Sequence, residues 1–476
     1  MKPFKINIIY LLITSALFLH SCKDFVEIDP PSDQLISKTV YSSDETAISA
    51  VRGLYAQMMT SGNFASGAAN SITRLVGLSS DEFNNFNSSE FYTQFSTNNL
   101  TANNTILRSG LWQASYQYIY FANVILDNLK VSNQLSISTK EQLEGEAKFI
   151  RAYCHFYLTN LFGEVPIVLT TDYRINAVAF SSTKDKIYEQ IISDLLESKK
   201  LLKDAYPSTE RIRANKWAAT AFLARVYLYH HEWANAIEQS SEVIAKTDAY
   251  KIVDDLNQVF LKNSQETILQ FAPTSASINT NEGALFILTS APGTANQTTL
   301  SENLIQAFEP GDKRLANWIG KFTSGTSSWY YPFKYKIKTG STPRNEYSMV
   351  LRLAEQYLIR AEAFINLNQI ELGIGDLNVI RKRARPQPTV DNPIPIPDFS
   401  VNLSKADALT AIEKERRVEF FSEWGHRWLD LKRTNRADEV LKVTKGTNWQ
   451  NTDILYPIPI TELNNNPNLR QNIGYE

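Results

Sequence analysis

Cysteine is almost missing from this chain: only Cys22 and Cys154 occur in 476 residues. Two cysteines cannot build a disulfide framework, and no cysteine pattern for structural zinc is present. Histidine is scarce as well, with five residues. The sequence has no H-E-x-x-H, no G-x-S-x-G and no phosphate-binding Gly-rich loop. These absences argue against zinc proteases, serine hydrolases and nucleotide enzymes, and no cofactor is expected. Neither sign of charge dominates, with 48 basic against 50 acidic residues and a formal net charge of -2. Without a basic stripe, nothing favours nucleic acid. Beyond the N-terminus no apolar run approaches the ~20 residues of a spanning helix. No Gly/Ser- or Pro-rich linker is long enough to separate domains, so the segments read as one body.

The first residues differ from the rest. Lys2 and Lys5 precede an apolar run from Ile6 to Leu19, followed by His20-Ser21-Cys22. A basic start, a short apolar stretch and a small residue form an export signal over residues 1–21. The Cys just after it resembles a bacterial lipobox, in which the cysteine becomes the acylated N-terminus, although His20 stands where a small residue is usual. Cys22 is therefore the expected lipidation point. Lys23-Asp24, with Glu27 and Asp29, is similar to the segment that sends Bacteroidetes lipoproteins to the cell surface. Cys154 then has no partner and reads as a small buried hydrophobe.

Helical patterns dominate the remainder of the chain. Ala47, Val51, Leu54 and Met58 line one face of a helix over Asp44 to Met59. Further helices are predicted over Trp112–Lys130, Glu141–Phe162 and Lys184–Leu202, with Gly163 and Pro166 closing the second. Arg213–Ala245 reads as two helices turning near His230-His231-Glu232, and Leu353–Arg381 as another pair. Leu223, Ala224, Tyr227 and Ala236, then Ala361, Phe364 and Gly373, fall at tetratricopeptide-like offsets, where small residues let paired helices approach. The adjacent His230, His231 and Glu232 do not share a helix face, so a wet helix end is preferred over a metal site. The fold class is mainly α: a tetratricopeptide-like helix-pair scaffold with irregular, loop-rich insertions and few short strands.

Two stretches break that pattern. Ser61–Thr105 is rich in Asn, Ser and Thr and reads as a long connection dotted with Asp81 and several Phe and Tyr. Ile252–Pro343 has strand-like pieces at Thr267–Phe271 and Leu285–Leu288 and an aromatic group: Trp318, Phe322, Trp329, Tyr330, Tyr331, Phe333 and Tyr335. Sugar rings have apolar faces edged by hydroxyls, which flat aromatics cover while Asn, Asp and Arg take the hydroxyls. Trp318, Trp329, Tyr330 and Tyr331 are the candidate stacking groups. The competing reading is that these rings close a subsidiary core or pack on a partner.

Ser404–Arg433 concentrates charge beside large aromatics. Ser404 and Asp407 form a helix-start signature, Phe420, Trp424, Trp428 and Leu431 share a face, and Gly425 interrupts the helix. Glu415, Glu419, Glu423, His426 and Asp430 are possible acid–base groups, but interleaved arginines favour a buried ion-pair network. Glu415-Arg416-Arg417, Glu419 and the run Glu423 to Arg433 resemble the C-terminal signature of the SusD/RagB family. Glu146 to Pro166, Arg352 to Glu355 with Ala361 to Ala363, and the ending Pro457-Ile458-Pro459 with Asn466 to Asn472 and Gly474-Tyr475 resemble other motifs of that family, in the same order. The resemblance covers nearly the whole mature chain and divides it into 22–228 and 266–476, N- and C-terminal regions of one compact body.

The resemblance implies a surface-exposed lipoprotein of the outer membrane with no catalytic activity. It would bind oligosaccharides or polysaccharides and deliver them to a SusC-like TonB-dependent transporter. Its only attachment to the membrane would be the lipid. The two loop-rich stretches are the parts that set ligand choice in the family and meet at the site, so Asp81 with Asn84 or Asn85 would supply hydrogen bonds there. Alternatives are a RagB-like peptide binder, an assembly component of the transporter complex, and a surface glycosidase with a carboxylate pair facing the aromatic loops.

Overall fold

A computed structural model describes residues 37–60, 62, 64–294, 297–340, 342–389 and 396–475. The signal segment and Cys22 lie outside the described residues.

Helix Asp44–Met58 (α1) starts on Ser43, whose hydroxyl accepts the Thr46 N–H, and buries Ala47, Val51, Leu54 and Met58. The stretch expected as a long irregular connection is more ordered than its composition suggests. It holds helix Ile72–Ser79 (α2), strand Phe83–Asn85 (β1) and helix Glu90–Thr97 (α3). Every residue of α2 is buried, so tertiary burial overrides the polar, turn-rich neighbourhood.

A row of helices comes next: Ala114–Val131 (α4), Ile137–Phe162 (α5), Lys184–Leu201 (α6), Lys216–Tyr229 (α7) and Trp233–Ile244 (α8). Ser136 caps α5 by accepting the Thr139 N–H, which moves its start four residues ahead of the position expected from periodicity. The chain then leaves the row for an insertion containing strands Thr267–Phe271 (β2), Thr298–Leu300 (β3), Ile319–Ser324 (β4), Ser327–Pro332 (β5) and Ser348–Arg352 (β6). It rejoins with helices Leu353–Asn366 (α9), Ile370–Ala384 (α10) and Lys405–Phe420 (α11), then His426–Arg433 (α12) and Ala437–Lys445 (α13).

Each helix from α4 to α11 packs on the next, and α8 lies against α9 across the insertion. The α9–α10 approach needs glycine: a Cβ on Gly373 would fall 2.5 Å from Ile365 Cγ1 and 2.6 Å from the Ala361 carbonyl oxygen. β2 and β6 pair antiparallel at the base of the insertion. The stretch between them is thus a closed excursion from the helix row. Leu285–Leu288, expected as a strand, is instead led by helix Asn281–Phe286, because the Thr280 hydroxyl accepts the Gly283 N–H and nucleates a turn. Among the described residues no helix is long and apolar enough to cross a membrane.

Candidate functional site

The two loop-rich stretches meet. β1, from the first, pairs antiparallel with β3, from the second, in the register Phe83 with Leu300, Asn84 with Thr299 and Asn85 with Thr298. Arg74 on α2 locks this junction: its Nε donates to Thr298 Oγ1 at 2.9 Å and its Nη2 to Gln297 Oε1 at 3.1 Å. Its guanidinium also lies 4.2 Å from the centroid of the Tyr92 ring. β3 in turn lies alongside β5 of the β4–β5 hairpin.

That hairpin carries the candidate aromatics, and its register sorts them. Phe322 opposes Trp329, Gly320 opposes Tyr331 and Lys321 opposes Tyr330. Side chains alternate between the faces of a strand, so Phe322, Trp329, Tyr331 and Phe333 share one face and Tyr330 takes the other. The rings of Phe322 and Trp329 are tilted at 6.5 Å, and those of Tyr331 and Phe333 meet edge-on at 5.8 Å. These four are half-buried and lie outside the core clusters, whereas Tyr330 packs against the core. The Trp329 indole N–H and the Tyr331 hydroxyl have no protein partner among the described residues. Tyr330, half-buried like its neighbours, packs against the core from the other face of the hairpin. Phe322 and Phe333 share the face of Trp329 and Tyr331. Their signal was legible: a Ser-Gly-Thr turn between alternating aromatics marks a hairpin.

Trp318 is corrected. It is 0% exposed, its Nε1 donates to the Leu256 carbonyl at 2.9 Å, and Phe260 packs edge-on to its ring at 5.5 Å. It has no face to offer a ligand. Asp81 is buried too. Arg417 Nη2 donates to its Oδ2 at 2.6 Å and Arg427 Nε to its Oδ1 at 2.8 Å. Burial alone would raise the Asp81 carboxyl, but the Arg427 and Arg417 guanidiniums outweigh it and hold it below the usual range. Asn84 and Asn85 lie on β1, at the junction of the two stretches. Asn84 is exposed and its Nδ2 donates to Thr299 Oγ1 and the Leu300 carbonyl. Asn85 spends both amide atoms on Asn87.

The charged run on α11 and α12 holds this platform in place. Glu419 on α11 receives Arg314, Arg352 and Arg383 together. Arg314 Nη1 donates to Glu419 Oε2 at 2.9 Å and Arg352 Nη1 to Oε1 at 2.6 Å. Glu423 accepts from Lys334 Nζ at 2.5 Å and from Arg352 Nε at 2.9 Å. Arg314 and Lys334 flank the hairpin, so both of its ends are tied to one helix. Burial opposes ionisation of Glu419 and Glu423, yet their cation partners hold both carboxyls below the usual range. Asp430 behaves alike beside Arg416 and Arg433. Glu415 differs, because burial wins over Arg314 and raises it. Burial and surrounding cations push His426 well below its ordinary value. Glu419, Glu423 and Asp430 are held in structural ion pairs, the arrangement in which a carboxylate is a poor proton donor.

Two family models match the chain. One, described as starch-binding associating with outer membrane, covers residues 24–228, and one described as SusD family covers 306–475. SusD-like protein P25 of Formosa agariphila is 25% identical over 98% of this chain and 99% of its own length. Among solved structures, a SusD superfamily protein from Bacteroides vulgatus superposes with a TM-score of 0.79 at 22% identity, covering 91% of this chain and 99% of the other. A laminarin-binding SusD-like protein superposes with a TM-score of 0.74 at 24% identity, over 91% of this chain and 100% of that one.

Proposed function

The chain belongs to the SusD family, and from that premise we propose that it captures oligosaccharide or polysaccharide chains on the hairpin platform and passes them on without cleaving them. The observation that carries this reading is the row of Phe322, Trp329, Tyr331 and Phe333 on one face, half-buried and outside the core. Half-exposed rings with a free indole N–H and a free hydroxyl suit the alternating apolar faces and hydroxyl rims of a sugar chain. An open surface rather than a deep pocket suits a polymer that extends past the site at both ends.

The absence of cleavage rests on charge pairing. The carboxylates of the signature run are held by arginines and a lysine. The delivery partner would be a SusC-like TonB-dependent transporter, with Cys22 as the lipid anchor on the outer face of the outer membrane. The family-model description of outer-membrane association supports that placement.

Laminarin is the first polysaccharide to try, because a protein of the same fold binds it; starch comes second, from the family description. In affinity electrophoresis of the chain from Asp24 onward, one glycan class is expected to retard the protein. Trp329→Ala is expected to lose at least about 1.4 kcal/mol, a tenfold weakening. Release of reducing ends from the retarding glycan would overturn the non-catalytic reading. Retardation by no glycan would overturn glycan capture and turn attention to peptides or to an assembly role.

A further inference from the structure

Exposed apolar side chains gather on one turn. Leu169, Tyr173, Ile175, Val178 and Phe180, five of the 17 exposed large apolar residues among the described ones, fall between α5 and α6. Tyr173 is 77% and Phe180 71% exposed, so the core uses neither ring. The helical turn Tyr173–Asn176 has no buried residue at all. So dense a run of exposed apolar groups marks an interaction surface.

The turn is held in place. Asp172 caps it by accepting the Arg174 N–H at 2.9 Å. Asn123 Nδ2 on α4 donates to the Val168 carbonyl at 3.1 Å, and Asn176 Nδ2 to the Thr170 carbonyl at 2.9 Å. From the C-terminal tail, Asn468 Nδ2 donates to the Val178 carbonyl and Asn466 Nδ2 to the Ala179 carbonyl. The only charges in the stretch, Asp172 and Arg174, neutralise each other: Arg174 Nε donates to Oδ1 at 2.9 Å and Nη2 to Oδ2 at 2.6 Å. An uncharged apolar tip loses little on leaving water and offers a charged partner nothing.

Its position in the fold points to what covers it. Thr171 Oγ1 donates to Asp127 Oδ2 on α4 at 3.1 Å. One turn further along α4, about 6 Å, Val131 is exposed and Ser132 Oγ donates to the Tyr41 carbonyl at 2.8 Å. Tyr41 is close in sequence to Ser37, the first described residue. The chain therefore enters the fold at the end of α4 that carries the apolar turn. Residues 23–36 join Cys22 to that point and reach at most about 50 Å.

We propose that the turn from Leu169 to Phe180 docks on a lipid surface, its rings and aliphatic groups entering the boundary between headgroups and acyl chains. The choice of lipid over a protein partner rests on the reading of Cys22 as the lipid anchor, because an anchor there holds this end of the molecule against the membrane. A single acyl chain binds only marginally and stable attachment takes a second signal; the turn supplies one.

Flotation with phosphatidylcholine vesicles tests this on the chain from Asp24 onward, which lacks Cys22, so the turn is read apart from the anchor. The wild type is expected to float with the vesicles, equally at low and high salt. Tyr173→Ser combined with Phe180→Ser is expected to lower the partition coefficient at least about tenfold. Its melting midpoint is expected to stay unchanged, both side chains being exposed. Leu372→Ser, exposed on α10 at the other end of the helix row, is expected to float like the wild type. Mass spectrometry of the full chain reads acylation of Cys22 separately, so a wrong anchor is told apart from a wrong face. The inference is overturned if the wild type does not float, if the double variant floats undiminished, if salt abolishes flotation, or if Leu372→Ser weakens it equally. A wild type that fails to float but self-associates in sedimentation velocity, with the association lost in the double variant, would assign the turn to a second copy of the chain.

Discussion

Tyr331 lays its ring over Gly320, the residue opposite it in the hairpin, so closely that a Cβ on Gly320 would fall 2.2 Å from the ring's Cζ. Glycine at this point is what lets the ring lie down on its own strand pair. Gly320→Ala must therefore lift Tyr331 off the platform while leaving the backbone pairing intact. Its polysaccharide affinity is expected to fall about as far as that of Tyr331→Ala, roughly tenfold or ~1.4 kcal/mol each. Affinity electrophoresis of the two variants side by side checks this. Wild-type retardation by Gly320→Ala would remove Tyr331 from the platform.

Tyr330 and Trp329 are neighbours with opposite consequences. Tyr330 packs on the core and Trp329 does not. Tyr330→Ala is expected to cost stability, about 1–3 kcal/mol for a half-buried aromatic, with retardation unchanged. Trp329→Ala is expected to do the reverse. Thermal unfolding and affinity electrophoresis on the same two samples separate the roles, and a loss of binding in Tyr330→Ala with an unchanged melting midpoint would reverse the assignment.

Glu419 is the node of the buried charge network, with Arg314, Arg352 and Arg383 all upon it. Removing its charge takes one carboxylate partner from each of three buried guanidiniums, leaving Arg314 with Asp312 and Glu415, Arg352 with Glu423 and Arg383 with Glu266. Glu419→Gln is expected to destabilise the chain by about 3–5 kcal/mol, and Arg352→Met by a similar amount because Glu419 and Glu423 lose a partner. Chemical denaturation measures both. A midpoint within error of wild type would show that water or rearranged partners already satisfy the network.

How far these features were legible before the structure depends on their range along the chain. The α11 start at Ser404, the break at Gly425 and β2 at Thr267–Phe271 are local and come from caps, φ and pattern. The helix pairs were readable from their small residues, as at Gly373. Trp318 was misread because its burial depends on Phe260, Arg352 and Arg383, which come from distant segments. Asp81 was misread for the same reason, since its partners lie more than 330 positions away at Arg417 and Arg427. Tyr330 is a different case. Period-two alternation alone separates it from Trp329 and Tyr331, once Ser324 to Ser327 is recognised as a turn.

Glu82 makes stability depend on pH in a direction that can be isolated. It precedes β1, its backbone carbonyl accepts the Ser301 N–H at 2.8 Å, and its carboxyl Oε1 accepts the Ser422 N–H at 3.2 Å. Burial, then the charge of Asp81, raises its pKa from 4.5 to about 8. Between those values the folded chain holds a proton that the unfolded chain has released. Its contribution is thus fully present below 4.5 and is lost as pH rises through about 8. Lys334 and Lys445, lowered to about 8, and Lys432, lowered to about 7, act with the opposite sign because the folded chain releases their protons first. The raw stability profile is therefore a composite, and the difference between wild type and Glu82→Gln isolates one group. The two melting midpoints are expected to agree near about pH 4, below the 4.5 of the unfolded group, where Glu82 is largely neutral folded and unfolded, and to diverge in favour of Glu82→Gln by a few degrees near about pH 9. Parallel curves across that window would mean that Glu82 ionises without penalty, and that the junction beneath β1 is wetter than its burial indicates.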